Sequence, residues 1–211
     1  GIDPTGYNGD TEMFDLVHAL RARIVQSKAF STDHIVGAIL FEQTMDRLIG
    51  GLPAADYLWK TRGVVPFLKV DKGLAANTDG VSLMKPIDGL DALLQRGVEA
   101  NIFGTKMRSL IESASESGIE AVVAQQFEVA KKILGHGLIP IIEPEISITA
   151  TDKAAAEGLL LQTISRHLDA MAPDQEIMLK LTLPETANHY APLVADERVL
   201  RVVALSGGYD R

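Results

Sequence analysis

"IEAVVAQQFEVAKKILGHGLIPIIEPEI", residues 119–146, joins a helical pattern directly to a strand pattern. Apolar residues in 119–137 recur at the spacing of one helix face, which predicts an amphipathic helix ending at Gly135 or Gly137. Residues 138–146 are a short apolar run whose limits are marked by Pro140 and Pro144, and they predict a buried strand. Because helices that alternate with buried strands build α/β folds, this stretch indicates that fold class.

The same alternation runs along the rest of the chain. Strands are predicted at 34–41, 63–73, 101–108, 138–146, 176–184 and 197–208. Helical segments are predicted at 44–51, 88–100, 119–137, 152–171 and, as a short piece, 186–196. The strands are nearly continuous apolar runs, as expected when helices cover both faces of a parallel sheet. The pattern predicts an open doubly wound sheet or a (β/α)8 barrel with about six βα units. The absence of a linker rich in Pro, Gly or Ser favours a single domain over residues 1–211.

The composition disfavours several classes of function. The chain has 211 residues, a formal net charge of −8 and no cysteine. Negative charge disfavours broad nucleic-acid binding, and no apolar run approaches the roughly 20 residues that span a membrane. The five histidines show no metal-ligand spacing, so no metal site is expected. A chain without cysteine fits a cytoplasmic protein.

Polar residues gather where the predicted strands end. The carboxyl ends of parallel strands meet at one edge of a sheet, where α/β proteins bind their ligands. A single lysine at a strand end usually extends into water, but five consecutive strands with polar ends predict one shared site. These residues are Lys69, Asp71, Lys106, Arg108, Glu143, Glu145, Lys180, Thr182, Ser206, Gly207 and Gly208.

Lys180 is the candidate nucleophile of this site. It stands in "IMLKLTLP" (177–184), where apolar neighbours are expected to remove it from water. Desolvation and nearby cations lower the pKa of a buried lysine, and the neutral amine can form a Schiff base with a carbonyl. A carboxylate whose pKa is raised can move the protons, whereas Lys85 lies on a connection between strands and is not expected to react. Glycine-rich backbone at Gly207, with lysine and arginine nearby, suits phosphate.

Six motifs in order resemble class I fructose-bisphosphate aldolase, and the bacterial branch most closely. They are "GAILFEQTMD" (37–46), "GVVPFLKVDKG" (63–73), "FGTKMRS" (103–109), "PIIEPEI" (140–146), "MLKLTLP" (178–184) and "LSGG" (205–208). The resemblance implies a (β/α)8 barrel that cleaves fructose 1,6-bisphosphate reversibly, without metal or cofactor, in glycolysis and gluconeogenesis. The products would be dihydroxyacetone phosphate and glyceraldehyde 3-phosphate. It also implies that the first and last barrel strands are missing from this chain.

The resemblance implies a role for each candidate residue. Lys180 would form the Schiff base, Glu143 would act as acid/base with Glu145 assisting, and Lys106 would help proton transfer and substrate placement. The substrate- and phosphate-binding residues would be Lys69, Asp71, Arg108, Ser206, Gly207 and Gly208. The chain departs from the animal branch in two motifs. The animal branch has Lys-Trp-Arg where this chain has Lys106-Met107-Arg108, and it has "LLKPN" where this chain has "MLKLT".

Other functions stay open at the level of sequence. The chain is also compatible with another Schiff-base sugar-phosphate aldolase or a transaldolase-like barrel. A non-catalytic phosphometabolite-binding relic is a third reading, although such a protein would be expected to lose Lys180. The expected partner is a small sugar phosphate rather than nucleic acid or a membrane. The family resemblance also implies a homo-oligomer.

Overall fold

The computed structural model describes residues 3–205 and residue 207. The chain divides into two compact units. The first unit comprises the chain up to Lys69 together with Gln95–Phe103, and the second comprises Val70–Leu94 and the chain from Gly104 onward. The single domain expected over residues 1–211 stays a prediction.

The first unit contains helices and a parallel strand pair. Its elements are a 3-10 turn (Pro4–Gly6), α1 (Gly9–Gln26), β1 (Gly37–Leu40), α2 (Glu42–Met45), β2 (Leu48–Ile49), β3 (Leu52–Pro53), α3 (Ala54–Asp56), a π-helical segment (Tyr57–Arg62) and β4 (Val65–Lys69). Strands β1 and β4 pair in parallel, from Gly37↔Val65 to Leu40↔Leu68. Helix α4 (Leu90–Glu99) has residues in both units.

The second unit is built on four parallel strands. Its elements are β5 (Val81–Ser82), β6 (Gly104–Ile111), α5 (Glu116–Gly135), β7 (Ile139–Ile146), α6 (Lys153–Asp169), β8 (Ile177–Thr182), α7 (Ala191–Val194) and β9 (Val199–Leu205). Strands β6, β7, β8 and β9 pair in that order, all in parallel, and the short β5 pairs antiparallel with β6. The carboxyl ends of the four strands therefore meet at one edge.

Helix α5 confirms the pattern from which the fold class was predicted. The Ser115 side chain accepts a hydrogen bond from the Gly118 N–H and caps the start of the helix. The helix ends at Gly135, and Gly137 has a φ of 75°, a conformation that glycine adopts without strain. Its buried face packs against β6, β7 and α6. The helix thereby fixes the two strands that carry much of the candidate site.

Two expectations about secondary structure and burial were wrong. Residues 44–51 were predicted to be helical, but α2 ends at Met45 and a β2–β3 hairpin follows. Gly50 and Gly51, with φ of 59° and 83°, form its turn. The other error concerns β1 and β9, which are not covered on both faces, since Ile39 and Leu200 are exposed. In the described part of the chain, β9 pairs only with β8, so its outer edge is uncovered.

The helices carry no sign of a membrane span. Within residues 3–205, none is both long enough and apolar enough to cross a bilayer.

We expect truncation of Leu160, a fully buried residue of α6, to destabilise the protein strongly. Leu160→Ala removes buried methyl groups and leaves a cavity, which costs about 2–5 kcal/mol in the free energy of unfolding. Urea unfolding followed by circular dichroism measures the change. Leu200→Ala, at an exposed site of β9, is the control and should cost well under about 1 kcal/mol. Equal losses in the two variants would contradict the described core.

Candidate active site

A cavity of about 720 Å³ lies at the carboxyl edge of the parallel strands in the second unit. Most of the polar residues singled out in the sequence of this unit line it. The lining residues are Lys106, Arg108, Leu110, Glu143, Glu145, Ser147, Ile148, Lys180, Ala204, Leu205 and Gly207. The structure thus brings side chains from β6, β7 and β8 to one place, as the strand-end pattern predicted.

The Glu143 carboxylate, which lines this cavity, lies between two lysines. Its Oε1 accepts a hydrogen bond from Lys180 Nζ at 2.5 Å, and its Oε2 lies 2.6 Å from Lys106 Nζ. The side chain of Glu143 is 1% exposed, so the carboxylate itself is shielded from water. A buried carboxylate is costly unless cations compensate it, and here each oxygen has one.

Strand register explains why these three side chains meet. Lys106, Glu143 and Lys180 come from adjacent parallel strands, and Arg108 pairs directly with Glu143. Lys106 precedes Arg108 by two residues and points to the same face of β6. The same periodicity puts Glu145 on the face of Glu143. One face of the sheet edge therefore receives every charged side chain of the group.

Asp71 adds a second buried carboxylate beside Lys106. Its Oδ2 is 4.0 Å from Lys106 Nζ, and its Oδ1 accepts the Gly73 N–H at 3.2 Å. The chain before it is anchored on β6, because the Val70 N–H donates to the Lys106 carbonyl. Lys106 is therefore flanked by carboxylates from two parts of the second unit.

Arg108 and Glu145 form a further ion pair at the cavity. The guanidinium Nε donates to Glu145 Oε2, and both side chains are half-buried. This hydrogen bond raises the pKa of Arg108 above its ordinary value, and it outweighs the opposing effect of burial. Arg108 therefore stays charged in the cavity and can attract an anion.

The surroundings of Lys180 differ from the expectation. Its side chain is 24% exposed, whereas Leu179 and Leu181 are almost fully buried. The sequence reasoning assigned the desolvation of Lys180 to its neighbours along the strand. That was wrong because side chains alternate along β8, so Leu179 and Leu181 face away from Lys180. What faces Lys180 is the carboxylate of Glu143.

The remaining predicted residues are placed less centrally or are not described. Gly207 lines the cavity, while Ser206 and Gly208 lie outside the described residues. Lys69 ends β4 in the first unit, where its Nζ is 5.7 Å from the centroid of the Phe41 ring. In the described part of the chain, no group of three or more histidine, aspartate or glutamate side chains could hold a metal ion.

Sequence reasoning missed two groups that support the site. Gln126, buried on α5, accepts the backbone N–H of Glu143 at 2.8 Å. A glutamine on the apolar face of a predicted helix was a signal that could have drawn attention to it.

The second missed group is a buried ion pair on α6. Lys153 contacts Glu157, and its Nζ also donates to the Leu183 carbonyl at 2.8 Å. Glu157 accepts the Glu185 N–H at 3.1 Å, so the pair holds the loop that follows β8. In the sequence this pair looks like any exposed pair at i,i+4 spacing, and no signal set it apart.

Comparison of the sequence with known proteins finds one family. The family model "Fructose-bisphosphate aldolase class-I" matches residues 15–186. A class 1 fructose-bisphosphate aldolase of Synechocystis is 54% identical over 211 residues, which are the whole of this chain and 70% of that protein. The class 1 enzyme of Clostridium acetobutylicum is 53% identical over 211 residues, again the whole of this chain and 72% of that protein.

A solved structure agrees at the level of the fold. Fructose-bisphosphate aldolase from Plasmodium falciparum, crystallised with TRAP and a small molecule inhibitor, aligns with a TM-score of 0.70 at 21% identity. The alignment covers 96% of this chain and 70% of that one. The fold class is therefore that of the α/β barrel, with two parallel strands in the first unit and four in the second. The chain belongs to the class I fructose-bisphosphate aldolase family.

Proposed function

We propose that the protein cleaves fructose 1,6-bisphosphate reversibly, with Lys180 as the Schiff-base lysine and Glu143 as the acid/base group. The observation that carries the assignment is the contact of one buried carboxylate with both Lys180 Nζ and Lys106 Nζ. Family membership supports the substrate and reaction class.

The first stage is imine formation. Glu143 accepts a proton from the Lys180 ammonium, and the amine then attacks the C2 ketone of the sugar phosphate. The carboxyl group returns this proton to the C2 oxygen, and a second proton lost by the nitrogen of the adduct passes to the same oxygen. The oxygen then leaves as water and the protonated imine remains. Because Glu143 Oε1 is 2.5 Å from Lys180 Nζ, proton transfer between these two groups occurs within hydrogen-bonding distance.

The second stage is cleavage of the C3–C4 bond. The protonated imine accepts the bonding electrons while a base removes the proton of the 4-hydroxyl, and glyceraldehyde 3-phosphate leaves. The resulting enamine takes a proton at C3, and water then hydrolyses the imine to release dihydroxyacetone phosphate and free Lys180. Lys106, held between Asp71 and Glu143, would stabilise oxygen atoms that gain negative charge.

Substrate phosphates require cations and backbone N–H groups. Arg108 stays charged at the cavity wall, and Gly207 reaches the same cavity. We propose that these residues, with Ser206, Gly208 and Lys69 by family resemblance, bind the phosphates. Glu145 would orient Arg108 through their ion pair.

The setting of the enzyme is proposed from the family resemblance alone. We propose that the protein acts in the cytoplasm as a homo-oligomer, and that its partner is the sugar phosphate rather than nucleic acid or a membrane. Light scattering of the purified protein measures the oligomeric state.

Covalent trapping tests the nucleophile. Incubation with dihydroxyacetone phosphate followed by borohydride should add the substrate to Lys180, as mapped by mass spectrometry. Lys180→Met should abolish the adduct, because methionine cannot form an imine. Lys85→Met is the control, since Lys85 is exposed on a connection, and it should keep the adduct. A folded protein without an adduct at Lys180 would refute the assignment.

Replacement of Glu143 tests the acid/base group. Glu143→Gln keeps the size of the side chain but cannot move protons, so kcat should fall about 10²- to 10⁴-fold. Steady-state kinetics of fructose 1,6-bisphosphate cleavage measure the loss. Glu116→Gln, at the exposed start of α5, should leave kcat unchanged. Parent-like kcat in Glu143→Gln would contradict the assigned role.

Chelation tests whether the imine of Lys180 or a metal ion accepts the electrons of the cleaved C–C bond. The imine of Lys180 would serve as the sink, so dialysis against EDTA should leave kcat unchanged. Strong inhibition that a divalent metal reverses would point to a different mechanism.

A further inference from the structure

The backbone ladder between β7 and β8 stops immediately before the reacting pair. Strand β7 pairs with β6 up to Ile146, and β8 pairs with β9 up to Thr182. Between β7 and β8, the described pairing ends at Ile142↔Leu179. The next positions in that register are Glu143 and Lys180. Glu143 and Lys180 therefore lie just beyond the last described residue pair between β7 and β8.

The sequence of β7 explains why the ladder does not continue. Pro144 has no N–H to donate. The N–H of Glu143 donates to Gln126 Oε1 on α5 at 2.8 Å. The carboxyl-terminal part of β7 is thus bonded to β6 and to α5. Its distance from β8 must be set by some other contact.

One buried side chain supplies that constraint. Thr182 Oγ1 accepts the N–H of Ile146 at 3.0 Å and donates to the carbonyl oxygen of the same residue at 2.9 Å. Thr182 is 2% exposed, so water does not compete for these bonds. It stands two residues beyond Lys180, and Ile146 stands three beyond Glu143. This pair of bonds, the Thr182 bridge, joins β8 to β7 just beyond the contact of Lys180 with Glu143.

We propose that Thr182 is a positioning residue that sets the distance between Lys180 Nζ and the Glu143 carboxylate. The inference rests on the roles proposed for Lys180 and Glu143. Proton transfer between them depends on short contact, and a displacement of about 1 Å can cost about 100-fold in rate. Without the Thr182 bridge, the segments of β7 and β8 beyond the reacting pair would lose these two buried hydrogen bonds.

Three variants of Thr182 separate this role from a contribution to stability alone. Thr182→Val keeps the shape and loses both bonds, Thr182→Ser keeps the hydroxyl, and Thr182→Cys keeps a weaker donor. Thr105→Val is the matched control, because Thr105 is fully buried on β6 and its hydroxyl has no hydrogen-bond partner.

Pre-steady-state imine formation with dihydroxyacetone phosphate, measured on folded protein, is the kinetic readout. We expect Thr182→Val to slow it by about 10- to 100-fold, with a change in KM below about threefold. Thr182→Ser should restore the rate to within about threefold of the parent, and Thr105→Val should match the parent. A folded Thr182→Val with the parent rate would overturn the proposal. If that variant does not fold, equal rates in Thr182→Cys and Thr182→Ser would overturn it.

Crystal structures of the parent and the Thr182 variant give a readout that does not need activity. We expect the distance between Lys180 Nζ and Glu143 Oε1 to grow from 2.5 Å in the valine variant, or in the cysteine variant where valine does not fold. An unchanged distance would overturn the positioning role, whatever the activity. A parent that forms no imine would instead refute the proposed function, while the distance would still decide the role of Thr182.

Discussion

The contact of the Glu143 carboxylate with two ammonium groups is the interaction on which the candidate site depends. A carboxylate that is 1% exposed is costly without compensating charge, and Lys106 and Lys180 supply that charge from the two neighbouring strands. Three strands must therefore keep a common register at their carboxyl ends. The same arrangement that compensates the buried charge also puts an amine beside a group that can move its proton.

Support for this arrangement comes from outside the cavity. Gln126 reaches from α5 to the backbone of Glu143, and Thr182 links the ends of β7 and β8. The Lys153–Glu157 pair of α6 holds the loop that follows Lys180 and Thr182. Sites built on strands and fixed by surrounding hydrogen bonds keep their geometry better than sites on loops. The helices of the second unit thus contribute to chemistry as well as to the core.

Much of the architecture could be read from periodicity. Helix α5 and strand β7 were predicted close to their observed bounds, because apolar spacing reports local structure directly. The other parallel strands overlap their predicted segments, although β6 begins at Gly104 and continues to Ile111 instead of spanning 101–108. The hairpin at 48–53 was missed because a short apolar segment before two glycines fits a helix end as well as a turn. The exposure of β1 and β9 was missed for a different reason. An apolar strand has the same composition whether or not other elements cover both of its faces.

By itself, the sequence determined the α/β class, the family and the set of charged residues at the strand ends, since these follow from local pattern and motif. Only the tertiary structure decided how those charges pair. It showed that Glu143 stands between Lys106 and Lys180, so that Lys180 is contacted by a side chain of the neighbouring strand β7. It also showed that the described pairing of β7 with β8 ends just before Glu143 and Lys180. The reason is physical. Contacts between strands depend on register and on backbone hydrogen bonds, and the spacing of residues along one strand predicts neither.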